Sequence, residues 1–159
     1  MNTAMMLAVA FNCILIFVCG FAFLRGGRPE RIGALINISA SGITTILRIL
    51  DINFYKPTDI LIFSVDVSVT VAFFMLAVRT TRFWPVWALG FALSDLVVSI
   101  AASLIPRVQL FAYHTGLGIY AYLALGALAL GTYRISNDAD PVNRNGSRLQ
   151  WRKRVLHDP

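Results

Sequence analysis

Two aspartates stand inside segments otherwise suited to hydrocarbon: Asp66 in "IFSVDVSVTVAFFM" and Asp95 in "FALSDLVVSI". A carboxyl group can carry a proton, hold a cation or bond neighbouring hydroxyls. A lone aspartate at the centre of a bilayer costs about 2.5 to 3.5 kcal/mol, so it should face protein and find partners there. The polar residues available to these two are Asn12, Arg48, His114 and Tyr120. Two states are open to the acids. Arg48 can reach down and hold one ionised, or one or both stay protonated and donate to Asn12, Ser99 or Tyr120. A carboxyl that exchanges a proton in a water-accessible pocket is what a proton relay requires. Membrane bundles also use Asp, Asn, Ser and Thr as interhelical glue. Residue type alone leaves both readings open, and His114, beside Tyr113, reads more readily as an interfacial hydrogen-bonder than as a ligand.

The elements that must position these residues are apolar blocks. The chain has 159 residues, 57% hydrophobic and 14% charged, with mean hydropathy +0.69; a soluble domain carries about 25% charged residues. Five blocks of helical length run at about 3–24, 32–50, 58–78, 84–105 and 110–132. Each matches the roughly 20 residues that cross a hydrocarbon core. The expected fold is therefore all-α, an integral membrane bundle of five transmembrane helices over 1–135, followed by a basic tail over 136–159. The first block lacks a basic n-region and is too long for the apolar core of a signal peptide, so it is expected to stay as a helix. Cys13 and Cys19 lie on different faces of that helix, with no disulfide or metal spacing, and read as packing groups.

Charge sets the expected orientation. With five crossings, one side receives Arg25, Arg28, Arg31, Arg79, Arg82, Arg134 and the five cations of the tail, while the other receives Arg48, Lys56 and Arg107. Eleven against three places the N-terminus outside and the C-terminus in the cytoplasm. If the second block, interrupted by Asn37 and Arg48, did not cross, the split would fall to eight against six. Trp84, Trp87 and Tyr133 then fall at the inner membrane interface, and Phe54, Tyr55 and Tyr113 at the outer one.

Threaded this way, Asp66 lies roughly 12 Å and Asp95 roughly 14 Å below the outer surface, with Asn12 at about the same depth. Arg48 and His114 lie above them. Helical spacing gives the second block a polar stripe of Gly33, Asn37, Ser41, Thr44 and Arg48, backed by Leu35, Ile43, Ile46 and Leu50. It gives the fourth a small-residue stripe of Ala88, Ala92, Asp95, Ser99 and Ala102, and the fifth one of Gly116, Tyr120, Ala124, Ala127 and Gly131.

The tail loses apolar character at once and is expected to be partly disordered. Its end, "SRLQWRKRVLHD", has Arg148, Trp151, Arg152, Lys153 and Arg154 as candidate contacts to inner-leaflet headgroups; a merely solvated tail is the alternative. No HExxH, zinc cluster, Walker loop or GxSxG is present, and a single membrane histidine does not suit bis-histidine haem ligation. No cofactor, metal or catalytic group is expected, and nucleic acid is a poor partner because topology accounts for the positive charge. "LAVRTTR" at 76–82 and "LALGTYR" at 128–134 share four of seven residues, an echo between two inner helix ends.

The stretch 82–134, with "RFWPVWALGF" and "LALGTYR", resembles small multi-pass proteins of alphaproteobacterial inner membranes. The resemblance covers about a third of the chain; it implies an inner-membrane location and brings no function with it. A strong preference for Arg over Lys suits a GC-rich bacterial genome. The expected function is a non-enzymatic accessory or interaction subunit whose partners are the bilayer and other membrane proteins or itself. The alternative is a small oligomeric proton- or cation-coupled transporter or channel that uses the intramembrane acids.

Overall fold

The turn between the first two helices shows why the elements start and stop where they do. At Gly26 a Cβ would collide with the Ala22 carbonyl and with the Glu30 side chain, so only glycine lets the chain reverse this tightly. The Gly26 N–H still bonds Ala22 O at 2.9 Å. Two residues later the next helix begins, with Pro29 in its first turn, where a missing N–H costs nothing. In the computed structural model, the described residues are 3–50, 60–104, 110–135 and 146–157. They form six α-helices: α1 Thr3–Arg25, α2 Arg28–Leu50, α3 Ile60–Arg79, α4 Trp84–Leu104, α5 Leu110–Tyr133 and α6 Arg148–His157. Among these residues the only strand-like feature is an isolated bridge between Thr80 and Ser147.

Helices α1 to α5 pack in sequence around a ring, which α1 closes on α5, and α2 also touches α5 across it. The short α1–α2 and α3–α4 turns make those neighbours antiparallel. The end of α1, the start of α2, the end of α3, the start of α4 and the end of α5 therefore meet at one end, called here the basic end. The contiguous core lies in that half. It is built from Leu15, Cys19 and Ala22 of α1, Ala34 of α2, Phe73 and Leu76 of α3, Trp84 and Ala88 of α4, and Leu125 and Leu128 of α5. The echo noted in the sequence falls on equivalent buried positions, Leu76 in α3 with Thr80 just after it, and Leu128 and Thr132 in α5.

Two helices, Ile60–Arg79 and Trp84–Ala101, are long and apolar enough to cross a membrane. Only 17% and 22% of them is buried inside the bundle, so most of their apolar surface still needs an apolar medium. Helix α2 shares this arrangement in part, with Ser39, Thr44 and Thr45 also exposed. On α2 the exposed residues include Leu35, Ile38, Ile43 and Ile46, while Gly33 and Ala34 are buried and Asn37 and Ser41 half-buried. A helix on the surface of a soluble protein turns the opposite face outward. Hydroxyls along the helices satisfy themselves by bonding the carbonyl four residues back. Examples are Ser64 Oγ to Ile60 O at 2.7 Å, Ser94 Oγ to Gly90 O at 2.9 Å and Thr132 Oγ1 to Leu128 O at 2.8 Å. This local bonding removes much of the penalty for a hydroxyl without water.

Two expectations change. Helix α2 starts at Arg28 instead of about 32, so "GRPER" is largely a helix start and not a loop. Trp84 was expected in an interfacial aromatic belt, yet it is 5% exposed and belongs to the core; Trp87 and Tyr133 are exposed. In the tail, 136–145 lie outside the described residues; Gly146 to Arg148 touch the end of α3 and the turn after it, and α6 follows, exposed from Arg148 to Leu156.

Candidate functional site

Among the described residues two polar clusters stand out, one buried around Glu30 and one around the half-buried Asp66 and Asp95. The first, at the basic end, centres on Glu30, whose side chain is fully enclosed. Glu30 is the third residue of α2, and its Oε2 accepts from the Gly27 N–H at 3.0 Å, closing half of a capping box. Its Oε1 accepts from Trp84 Nε1 at 3.0 Å and lies 3.7 Å from Arg82 Nε. One carboxylate thus ties the α1–α2 turn to the α3–α4 turn. The indole it receives sits in a slot without side chains: a Cβ added at Gly33 of α2 or at Gly131 of α5 would collide with the Trp84 ring. Phe73 of α3 closes the slot edge-on, with ring centroids 6.5 Å apart. Trp84 therefore joins α2, α3, α4 and α5 through one side chain.

The tail is fastened to the same end. Gly146 O accepts from Thr81 N at 3.0 Å and from Thr80 Oγ1 at 2.9 Å. Gly146 has φ of 57°, a left-handed conformation that disfavours other residues, and a Cβ there would crowd Pro29 and Thr80. Arg148 Nη1 then donates to Val78 O at 3.4 Å, which lays the start of α6 along the last turn of α3.

The second cluster is the acid pair. Asp95 lies about 17 Å along α4 from Trp84, by helical rise. Asp66 of α3 and Asp95 of α4 belong to two helices packed against each other. Ser99 Oγ of α4, itself buried, donates to Asp66 Oδ2 at a long 3.5 Å. Thr70, one turn from Asp66, uses its hydroxyl on the Asp66 backbone carbonyl at 2.8 Å and not on the carboxylate. Among the described residues the buried Oδ1 of Asp95 has no hydrogen-bond partner. The arrangement presents two carboxyl groups, one weak donor and one unmatched acceptor oxygen. Chemically, such a group can share a proton between two acids or accept a small cation.

The other expected members do not all assemble here. Asn12 is exposed on α1, and Tyr120 is half-buried on α5 with no hydrogen bond to either acid among the described residues. Phe11, next to Asn12, packs edge-on against Tyr122 at 5.2 Å, so α1 and α5 do meet at this level. The side chains of Arg48 and His114 lie outside the described residues. On α6, Arg148, Trp151, Arg152, Lys153 and Arg154 are all exposed. No group of His, Cys, Asp and Glu among the described residues has metal-binding geometry.

The sequence reading missed the Glu30 cluster. The available signal was Gly27 followed three residues later by Glu30, with Pro29 between them: a cap pattern in which glycine replaces the usual hydroxyl. Comparison with known protein families, curated proteins and solved structures gave no match. Function therefore has to be argued from this geometry.

Proposed function

We propose that the chain is an integral membrane protein of five crossing helices, N-terminus outside and tail in the cytoplasm, in a bacterial inner membrane. There it serves as a non-enzymatic interaction subunit of a membrane assembly. The observation that carries the reading is the inverted surface. Even α2, the least apolar of the five, turns Leu35, Ile43 and Ile46 outward and Asn37 and Ser41 inward. Exposed apolar area costs about 25 cal/mol per Å² in water, a penalty that lipid or neighbouring helices remove. A shallow groove of about 340 Å³ on the outer face of α4, between Trp87, Phe91 and the small residues Gly90 and Ser94, adds an apolar recess to that surface. The inner-membrane resemblance of 82–134 agrees with this compartment.

Reporter fusions at the two chain ends test the topology. Opposite compartments are expected, and a common compartment would overturn it. A photo-reactive residue in place of Trp87 tests the interaction role in intact cells. Discrete protein adducts are expected, and adducts to lipid alone would remove the role.

A second reading has its own support in the unmatched Oδ1 of Asp95, on the helix packed against that of Asp66. Structural glue has no use for an orphaned buried oxygen, which costs about 1 to 3 kcal/mol. A proton- or cation-coupled transporter would use it. The isosteric changes Asp66→Asn and Asp95→Asn keep the shape and remove proton exchange. Lost flux in sealed vesicles with normal expression supports this second reading, and unchanged flux removes it.

A further inference from the structure

The cations of the basic end lie on separate elements, and the structure gathers them. Arg28 and Arg31 occupy the first turn of α2, and Arg79 ends α3; all three are exposed. The Gly146 carbonyl, held by Thr80 and Thr81, brings the tail against Pro29 and Arg82, between those two elements. From that anchor α6 sets out along the end of α3, carrying exposed Arg148, Arg152 and Lys153. The acid among these groups, Glu30, is withdrawn into the core with its oxygens engaged by Gly27 and Trp84, so it presents no carboxylate to the surface. On α6 the apolar residues are outward too: Trp151 is 50% and Leu156 69% exposed. A basic helix with uncovered Trp and Leu, fixed within a turn of the end of an apolar membrane-length helix, lies at headgroup level. Its cations meet phosphates there while Trp151 and Leu156 reach the acyl boundary.

We infer that α6 and the turns of the basic end form one composite binding site for the headgroups of anionic phospholipids, held in register by the Gly146 anchor. The inference rests on the membrane-crossing reading above and adds to it a ligand class and a device. The basic tail is not a loose electrostatic tether, because one backbone carbonyl fixes where its charges fall relative to Arg28, Arg31 and Arg79.

The test uses the full chain in sealed vesicles with the tail outward, and it follows trypsin cleavage after Arg152 and Lys153. Vesicles of neutral phosphatidylcholine are compared with vesicles containing about one third phosphatidylglycerol. Cleavage should slow about tenfold or more in the anionic vesicles and recover in about 0.5 M salt, where screening shortens to a few ångströms. Arg152→Gln with Lys153→Gln, followed by cleavage after Arg148, should abolish the lipid dependence without touching the anchor. Gly146→Val should also remove most of the protection while every cation is kept. Equal cleavage of the wild-type chain in both vesicles would overturn the inference. So would protection in neutral vesicles by millimolar inorganic phosphate, which would mark a site for free anions, and so would full protection in Gly146→Val. Alkaline carbonate separates the two levels: extraction of the whole chain overturns the membrane reading itself. Retention with lipid-independent cleavage overturns this inference alone.

Discussion

The two polar clusters are made of similar groups and handled in opposite ways. At the basic end, Glu30 has a backbone donor, an indole donor and a guanidinium within 4 Å, arriving from both short turns. In the middle of the bundle, Asp66 and Asp95 have one long bond from Ser99 and an oxygen with no partner among the described residues. A buried carboxylate whose two oxygens each accept a hydrogen bond becomes a fastener, although Arg82 Nε beside it is itself buried without a hydrogen bond among the described residues. A charge that is under-matched contributes little to cohesion and stays available to a proton or a cation. The contrast assigns stability to the Glu30 cluster and is the basis of the second reading proposed for the acid pair.

The largest effect should come from Glu30→Ala. It strands the Gly27 N–H and the Trp84 N–H and takes the carboxylate away from the Arg82 guanidinium, and should cost about 3–5 kcal/mol of stability. Steric trapping or thermal unfolding in detergent measures this, and a loss below about 1 kcal/mol would break the contrast at its stronger end. Next comes Gly131→Ala, which forces a methyl group into the Trp84 ring and should cost about 1–3 kcal/mol by overpacking. The same unfolding assay reads it, and rescue by Trp84→Leu in the double variant would show that the indole is the obstacle. Gly146→Ala should cost about 1 kcal/mol, from the left-handed backbone it must adopt. This should appear as faster proteolysis of α6 with the bundle's melting temperature unchanged. Smallest should be Asp66→Asn, within about 1 kcal/mol of wild type, since polar contacts between membrane helices average well below that. A loss of several kcal/mol there would return the acids to the role of glue.

Much of this was legible in the sequence, and the misses share a cause. Five apolar blocks gave five helices whose ends agree within one or two residues, except the start of α2. Hydropathy begins counting at Ile32, whereas the helix begins at the cap that Glu30 closes, an event of hydrogen bonding to which an apolarity profile is blind. Trp84 was readable as an aromatic residue at a helix end, which matches an interfacial belt equally well. Its burial is decided by Gly33 and Gly131, far away in the chain, whose missing side chains make the slot. The approach of Asp66 to Asp95 was legible because depth in an antiparallel bundle is simple arithmetic on helical rise. The missing partner of Asp95 Oδ1 among the described residues was not, since it depends on local bonding such as that of Thr70 to the Asp66 carbonyl. The anchoring of the tail was also hidden, because "NGS" at 145–147 reads as a turn or a sequon, and only the fold brings it to Thr80.

The central claim is that the matched cluster holds the bundle together and the under-matched one does not. The most direct measurement compares Glu30→Gln and Asp95→Asn, the same isosteric loss of charge at the two sites, by unfolding in the same detergent. The account predicts that Glu30→Gln loses about 1–3 kcal/mol while Asp95→Asn is unchanged, since no donor among the described residues is spent on Asp95 Oδ1. The reverse order, with Asp95→Asn the damaging change and Glu30→Gln silent, would contradict it.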